Sequence, residues 1–467
     1  MCLKVELENA LTQYCNSKVI DSSLQTELTY GEIFKEIKRL ERIFDDVDFK
    51  GKIIVFDFNE NSINLVVLYL FMIVQEAIPV VLEVSGISSN LLKELPYFAI
   101  IKNRKSTLIL ESDFEFSNYE TPYGAVLIKQ NSFGMPTFAD CALLLTSSGT
   151  AGAKKIIKCS SEGIISNIYS NIKSLNITSR DSTLLCLPIY YSYSLIGQFF
   201  SHLFQGGNII IAPYKFVSFS LEYLLNYYKP TNFFTTPTQV NVLLAFNMKQ
   251  YAFSLRFVAI GGGYLNRFSF LNFTKKYPAA VYYKTYGITE AGPRVSTYAI
   301  EHIDAPSFEP NYLGKPLENV TLSLGENAGN YMDFAINYLQ ISTPSIFKGY
   351  LLCGSESAQA RLLETGDIVY GRENGIYILG RKSDYYTLDS TGFWSFEIED
   401  LLFEQISGLL KIKISRNEED IHIGIMKHPK IKLDYGEIIA PLNKRFGQST
   451  MKNIIVENYN EQFVFTK

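Results

Sequence analysis

Four histidines in 467 residues leave little from which to build a metal centre. The six cysteines, Cys2, Cys15, Cys141, Cys159, Cys186 and Cys353, are scattered without a CxxC pair, which argues against both a zinc site and a disulfide framework. Excess basic charge is missing too. With 43 Lys and Arg against 47 Asp and Glu the net charge is −4, so no nucleic-acid partner is expected. No apolar run is long enough to span a bilayer; the longest, Leu65–Val74, stops at Gln75 and Glu76 and reads as a buried helix. Charges interrupt the opening "MCLKVELENALTQYC", so no secretory signal is visible and the expected location is cytoplasmic. A single Trp stands against 31 Tyr and 33 Phe, a composition that suits a large packed interior or an apolar pocket.

What is present follows α/β grammar. A chain of this length is expected to split into two or three domains. Thr29 and Glu32 form a capping-box pattern, after which Ile33, Ile37, Leu40 and Phe44 fall on one helical face. The short apolar runs "KIIVFDF", "IPVVLEV", "TLLCLP", "NIIIAP", "TNFFTTP", "RFVAIGGG" and "AVYYKTYG" alternate with helical stretches, one of them near Leu195–Phe204. They read as buried parallel strands whose carboxyl ends carry loops. From Asn319 to Tyr377 the pattern is shorter and turn-rich, and "GRKSD" at Gly380–Asp384 opens a self-contained tail. The expected architecture is a large N-terminal α/β domain of stacked, mostly parallel sheets with helices plus a strand-rich subdomain (1–380), then a small mobile α+β C-terminal domain (381–467).

The stretch "LLLTSSGTAGAKKIIK", Leu143–Lys158, breaks an apolar run with small hydroxyl and glycine residues and then two lysines. Such a cluster is either a surface turn or a cradle in which backbone N–H groups, hydroxyls and a lysine surround phosphate. The spacing GxxxxGK[ST] is absent, so a P-loop is not the reading. Leu143–Leu145 reads as a buried strand and Gly163–Leu175 as the helix after it, which puts the loop at a strand-to-helix junction.

Four further segments follow in order: "AIGGGYL" (Ala259–Leu265), "YGITEAGP" (Tyr286–Pro293), "ETGDIVY" (Glu364–Tyr370) and "GRKSD". With the glycine loop, "LTYGEI" and "STPSIFKGYL", they resemble the adenylate-forming superfamily of acyl-CoA synthetases, aryl-CoA ligases, luciferases and peptide-synthetase adenylation domains, over nearly the whole chain. The resemblance implies that Ser147, Ser148, Gly149, Thr150, Gly152 and Lys155 grip the β- and γ-phosphates of ATP. Ala151 and Lys154 depart from the family pattern there. It also assigns Tyr286, followed by Gly287, to stacking on adenine, Thr289 to the α-phosphate and Glu290 to Mg²⁺. Gly262 and Gly263 would run along the adenine, Asp367 would hold the ribose hydroxyls, and Arg381 would reach ribose or phosphate from the hinge. The family's lysine near the C-terminus, which bridges acid and α-phosphate, falls closest to Lys467; its usual Pro-x-x-x-x-Gly-Lys setting is gone, and a disordered terminal lysine is the alternative.

The segment "LPIYYSYSL", Leu187–Leu195, resembles the wall of the family's acid pocket, with Tyr190, Tyr191, Tyr193 and Gly261 as candidate contacts. The tyrosines could equally be core. No carboxylate lies between Asp181 and Glu222, so an α-ammonium would be poorly met and a small non-amino carboxylic acid is the expected substrate. In the tail, "GRKSDYYTLDSTGFWSFEIED" keeps Glu397 and Glu399 but has Ser383, Thr387 and Ser390 where the family has its hinge acid, a lysine and a tunnel glycine. The thiol acceptor implied by the resemblance is CoA or the phosphopantetheine of an acyl carrier protein. Two other readings stand beside this acid–thiol ligase: a stand-alone amino-acid-activating domain, and a non-catalytic nucleotide-binding homologue. Retention of Lys155, Glu290, Asp367 and Arg381 argues against the last.

Overall fold

In the strand Ile53–Asp57, Ile54 and Phe56 enter one apolar cluster while Ile53 and Val55 enter another. Alternate side chains of a pleated strand point to opposite faces, so a strand covered on both sides must be apolar throughout. The computed structural model describes residues 2–58, 60–82, 92, 94–103, 115–130, 136–138, 140–146, 155–213, 218–245, 254–352, 362–388, 391–417, 420–430, 435–447 and 454–458.

Two sheets organise the first 316 residues. A five-stranded sheet has the order Ile78–Val81, Ile53–Asp57, Tyr97–Lys102, Gly124–Lys129, Phe116–Thr121; its first three strands are parallel. A nine-stranded sheet has six parallel strands at its heart, in the order Val281–Tyr286, Phe257–Gly261, Asn232–Thr235, Ser182–Leu185, Asn208–Ile211, Lys18–Asp21. Helices Leu3–Gln13, Tyr30–Ile43, Ile63–Val74 and Ser161–Leu175 share one apolar cluster with the facing sides of both sheets. The capping box forms as expected: Glu32 N donates to Thr29 Oγ1 (3.1 Å) and Thr29 N to Glu32 Oε2 (2.7 Å). Ile63–Val74 is buried along its whole length except at Asn64. Among the described residues no helix is long and apolar enough to cross a membrane.

Two local expectations change. The glycine-rich loop does not join strand to helix: Leu143–Thr146 pairs antiparallel with a second strand, Ile156–Cys159, before the helix at Ser161 begins. Apolar, β-branched Ile156 and Ile157 favour that strand, and both are buried. The helix expected near Leu195–Phe204 opens as a π-helix, Tyr193–Phe200, and continues as the short α-helix Ser201–Gln205. Widened turns of this kind recur at functional sites.

The strand-rich part is a four-stranded antiparallel sheet, Thr321–Tyr331, Phe334–Ser342, Leu363–Arg372 and Gly375–Arg381. At the C-terminal end, strands Leu409–Asn417, Asp420–Lys427 and Ile454–Asn458 with helices Ser395–Gln405 and Tyr435–Phe446 enclose an apolar cluster of their own.

Candidate functional site

The neighbouring strands Phe257–Gly261 and Val281–Tyr286 run parallel with Gly261 opposite Thr285, so the turns that follow them lie side by side at the carboxyl edge of the sheet. Open parallel sheets bind ligands at that edge. Gly262 has φ +85°, a conformation costly for any residue with a Cβ. At Gly287 an added Cβ would fall 1.7 Å from the Pro293 carbonyl oxygen. These turns, with Lys155, Thr289, Glu290, Asp367 and Arg381, line a cavity of about 640 Å³.

Asp367 is the hub of one wall. Its Oδ1 accepts from Arg381 Nε at 3.0 Å and its Oδ2 from the Tyr286 hydroxyl at 2.5 Å. Antiparallel pairing of Asp367 with Arg381 puts carboxylate and guanidinium side by side. Burial pulls the Arg381 guanidinium down, but the Asp367 charge and hydrogen bond outweigh it and hold it above its ordinary value. Burial, then Asp367, pushes the Tyr286 phenol well up, so it stays a neutral donor.

The second wall links three segments. Tyr350 donates its hydroxyl to Glu290 Oε1 at 3.1 Å, and Lys155 Nζ stands 4.6 Å from the centre of the Tyr350 ring. Thr289 Oγ1 and Ser192 Oγ are 3.1 Å apart. Tyr350 is fixed by backbone bonds to the hairpin strand: Leu351 N donates to Ile156 O and Lys158 N to Gly349 O. Among the described residues there is no group of three or more His, Cys, Asp or Glu side chains that could hold a metal. A lone carboxylate such as Glu290 nonetheless suits Mg²⁺, which is held by one or two carboxylates together with substrate phosphates and water.

Behind both walls lies Arg294, 1% exposed. Its Nε donates to Asn171 Oδ1 (2.8 Å), Nη1 to the carbonyls of Tyr286 (3.1 Å) and Ser296 (3.2 Å), and Nη2 to Thr297 Oγ1 (2.8 Å).

The three tyrosines of the expected acid pocket part company. Tyr190 lines a separate small cleft with Phe58, Asn61 and Leu65. Tyr193 is buried in the core, its hydroxyl accepting from Thr285 Oγ1 at 3.1 Å. Tyr191 packs edge-on against Tyr193, with ring centres 6.0 Å apart. A Cβ on Gly261 would lie 2.3 Å from Thr285 Oγ1 and 3.1 Å from the Tyr193 ring, so this glycine permits the contact between strand and tyrosine.

The C-terminal part closes one side of the cavity with Phe396, Glu399, Leu410 and Lys411. Tyr264 donates to Asp400 Oδ2 at 2.7 Å, its ring packs on Phe396, and Asn241 Nδ2 donates to the Leu410 carbonyl at 3.2 Å. Burial, reinforced by Asp400 and Asp384, pushes the Glu399 carboxyl up to about 8; burial brings Asp400 up to about 6.

The site candidates Lys155, Gly262, Gly263, Tyr286, Gly287, Thr289, Glu290, Asp367 and Arg381 thus come together at one cavity, whereas Tyr190, Tyr191, Tyr193 and Gly261 are not among the residues that line it. Ser147, Ser148, Gly149, Thr150, Gly152 and Lys467 lie outside the described residues. Tyr350, Ser192, Lys284 and Glu399 are added by the structure. Tyr350 sits inside the segment "STPSIFKGYL" and Ser192 inside "LPIYYSYSL", whereas Lys284 belongs to no motif.

Glycine turns at the carboxyl edge of a parallel sheet, beside a carboxylate shared by a guanidinium and a tyrosine, define a ligand-binding α/β protein. Residues 7–351 match the family described as AMP-binding enzyme, and the chain belongs to it. VraA of Staphylococcus epidermidis is 22% identical over 424 residues, 90% of this chain and 86% of its own length. The 2-succinylbenzoate–CoA ligase of Bacillus velezensis is 23% identical over 338 residues, 68% of this chain and 66% of its own. The O-succinylbenzoate coenzyme A synthetase of Bacillus subtilis, solved with AMP, superposes with a TM-score of 0.77 at 18% identity, covering 98% of this chain and 96% of that one. The fold is that of adenylate-forming enzymes, with a C-terminal domain after the large α/β part.

Proposed function

We propose that this protein activates a carboxylic acid lacking an α-amine by adenylation with ATP, then passes the acyl group to a thiol of CoA or of a carrier-borne phosphopantetheine with release of AMP. The observation that carries the reading is the single cavity in which Asp367, Arg381 and Tyr286 face Glu290, Thr289 and Lys155. Residues 1–380 are taken as the nucleotide-holding body and 381–467 as its lid.

In this reading Asp367 accepts the ribose hydroxyls and Tyr286 stacks on the base. The substrate carboxylate attacks the α-phosphate, pyrophosphate leaves, and the attack must overcome repulsion between anions. Thr289 donates to the α-phosphate, while Lys155 and Arg381 supply positive charge around the phosphates. Glu290 would hold Mg²⁺, whose charge offsets that developing on the phosphoryl oxygens. Lys467 is the candidate bridge between acid and α-phosphate. Relatives named as CoA ligases support the acid–thiol ligase reading. The stretch 182–221, which includes Tyr190–Tyr193, contains no Asp or Glu to meet an ammonium, which favours acids without one.

ATP–pyrophosphate exchange over a panel of aryl, short-chain and long-chain acids, each with and without an α-amine, tests the reading. Exchange is expected only with non-amino acids. Exchange confined to amino acids, or nucleotide binding with no exchange at all, would overturn it.

A further inference from the structure

Tyr350 meets both charged groups of the second wall with different parts of one side chain. Its hydroxyl lies 3.1 Å from Glu290 Oε1, and its ring faces Lys155 Nζ at 4.6 Å. An ionised carboxylate can only accept hydrogen bonds, so the phenol is the donor. Among the described residues this is the one hydrogen bond made to the Glu290 side chain, and it engages one of the two carboxylate oxygens.

The backbone fixes both ends of the contact. Phe347 N donates to the Glu290 carbonyl at 2.9 Å, while Tyr350 bridges antiparallel to Ile157, two residues beyond Lys155. Lys158 N donates to the Gly349 carbonyl at 3.0 Å and Leu351 N to that of Ile156 at 2.9 Å. The stretch 347–351 is therefore a strap between the turn of Glu290 and the strand next to Lys155.

Lys155 is exposed and Glu290 half-buried, so without a restraint each long side chain would sample several rotamers and lose that freedom when a ligand bound. A carboxylate that holds a metal is commonly steadied by a hydrogen bond from behind. The ring alone would serve Lys155, since a phenylalanine offers a cation the same kind of face. The hydroxyl has its use toward Glu290.

We propose that Tyr350 is a positioning residue: its hydroxyl holds one oxygen of Glu290 so that the other is free to take Mg²⁺, and its ring keeps Lys155 beside the phosphates. The inference rests on the nucleotide reading above and deepens it. Tyr350 acts through Glu290 and Lys155.

The test measures ATP binding to the full-length protein by calorimetry, once with excess Mg²⁺ and once with EDTA. The ratio of the two dissociation constants is the gain from metal. It should fall about tenfold in Tyr350→Phe, which keeps the ring and loses the hydroxyl. Tyr350→Leu should also weaken metal-free binding, by about threefold, because Lys155 loses its aromatic face. Glu290→Gln reports the whole contribution of the carboxylate, and Tyr350→Phe should add nothing to it in the double variant. A wild-type ratio in Tyr350→Phe, or weakening of both constants by one common factor, would make Tyr350 a packing residue and overturn the inference, leaving the nucleotide reading intact where Glu290→Gln lowers the ratio. A ratio that Glu290→Gln leaves untouched takes the metal away from Glu290, and this inference goes with it.

Discussion

Tyr286 and Asp367 are 81 residues apart in the chain and 2.5 Å apart at the phenol–carboxylate contact. That bond joins the nine-stranded sheet to the four-stranded one, and the same carboxylate faces Arg381 at the start of the tail. One acidic side chain therefore orders three segments around the cavity.

Asp367→Ala should weaken ATP binding by at least about tenfold, because it removes the proposed ribose acceptor and leaves Arg381 and Tyr286 without their partner. Calorimetric titration measures this, with circular dichroism as the folding control. An unaltered dissociation constant would overturn the nucleotide reading of this cavity and leave Asp367 holding the sheets together.

Glu290→Gln preserves shape and can still accept from Tyr350, but loses the charge proposed for Mg²⁺. Pyrophosphate exchange should drop by about two decades, equivalent to a few kcal/mol of transition-state stabilisation. Raising Mg²⁺ should recover part of the loss. Near-wild-type exchange at low Mg²⁺ would remove Glu290 from the metal.

Tyr191→Ala should change which acids support exchange while ATP affinity holds, since Tyr191 packs against Tyr193 and is not among the residues that line the nucleotide cavity. If acid preference is unchanged and the melting temperature falls instead, Tyr191 is core.

The contact between lid and body should loosen with alkali. Glu399, beside Asp400, Asp384 and Lys411, has its carboxyl raised from 4.5 to about 8 in the folded protein. A raised value means that the folded state holds the proton more tightly. Its contribution to stability is therefore complete below about pH 4.5 and is lost as pH climbs through about 8. Glu399→Gln should match wild type near pH 4.5 and exceed it by about 2–4 kcal/mol at pH 9. Melting curves across that range read the difference, and parallel pH profiles for the two proteins would refute it.

What was legible in the chain was whatever one local run of residues carries. Tyr286, Glu290, Asp367 and Arg381 each sit in a short motif; Tyr286 and Arg381 end their strands, Glu290 follows in the turn after Tyr286, and Asp367 lies within the strand Leu363–Arg372. The contact between Tyr350 and Glu290 spans 60 residues and exists because the hairpin strand Ile156–Cys159 bridges to the segment before it, information no window of sequence holds. The strand Ile156–Cys159 that separates the glycine loop from its helix escapes the sequence, since four apolar-rich residues do not reveal whether they pair. Lys284 belongs to no motif in the sequence. Only burial and its shared face with Tyr286 set it apart.

Arg294 has a consequence for how the molecule comes apart. Its guanidinium joins the last residue of one strand, Tyr286, to the start of the next at Ser296 and Thr297 and to the helix residue Asn171, all inside the core. The turn that carries Thr289 and Glu290 is thereby stitched at both ends to elements that open only when the body unfolds. Amide hydrogens around Tyr286 and Val295 should exchange with the slowest class in the chain, whereas those of Ser395–Gln405, held to the body through Tyr264 and Phe396, should exchange earlier. If the proposed lid opens from the body, the half of the site stitched by Arg294 keeps its shape, and a nucleotide meets prearranged groups there.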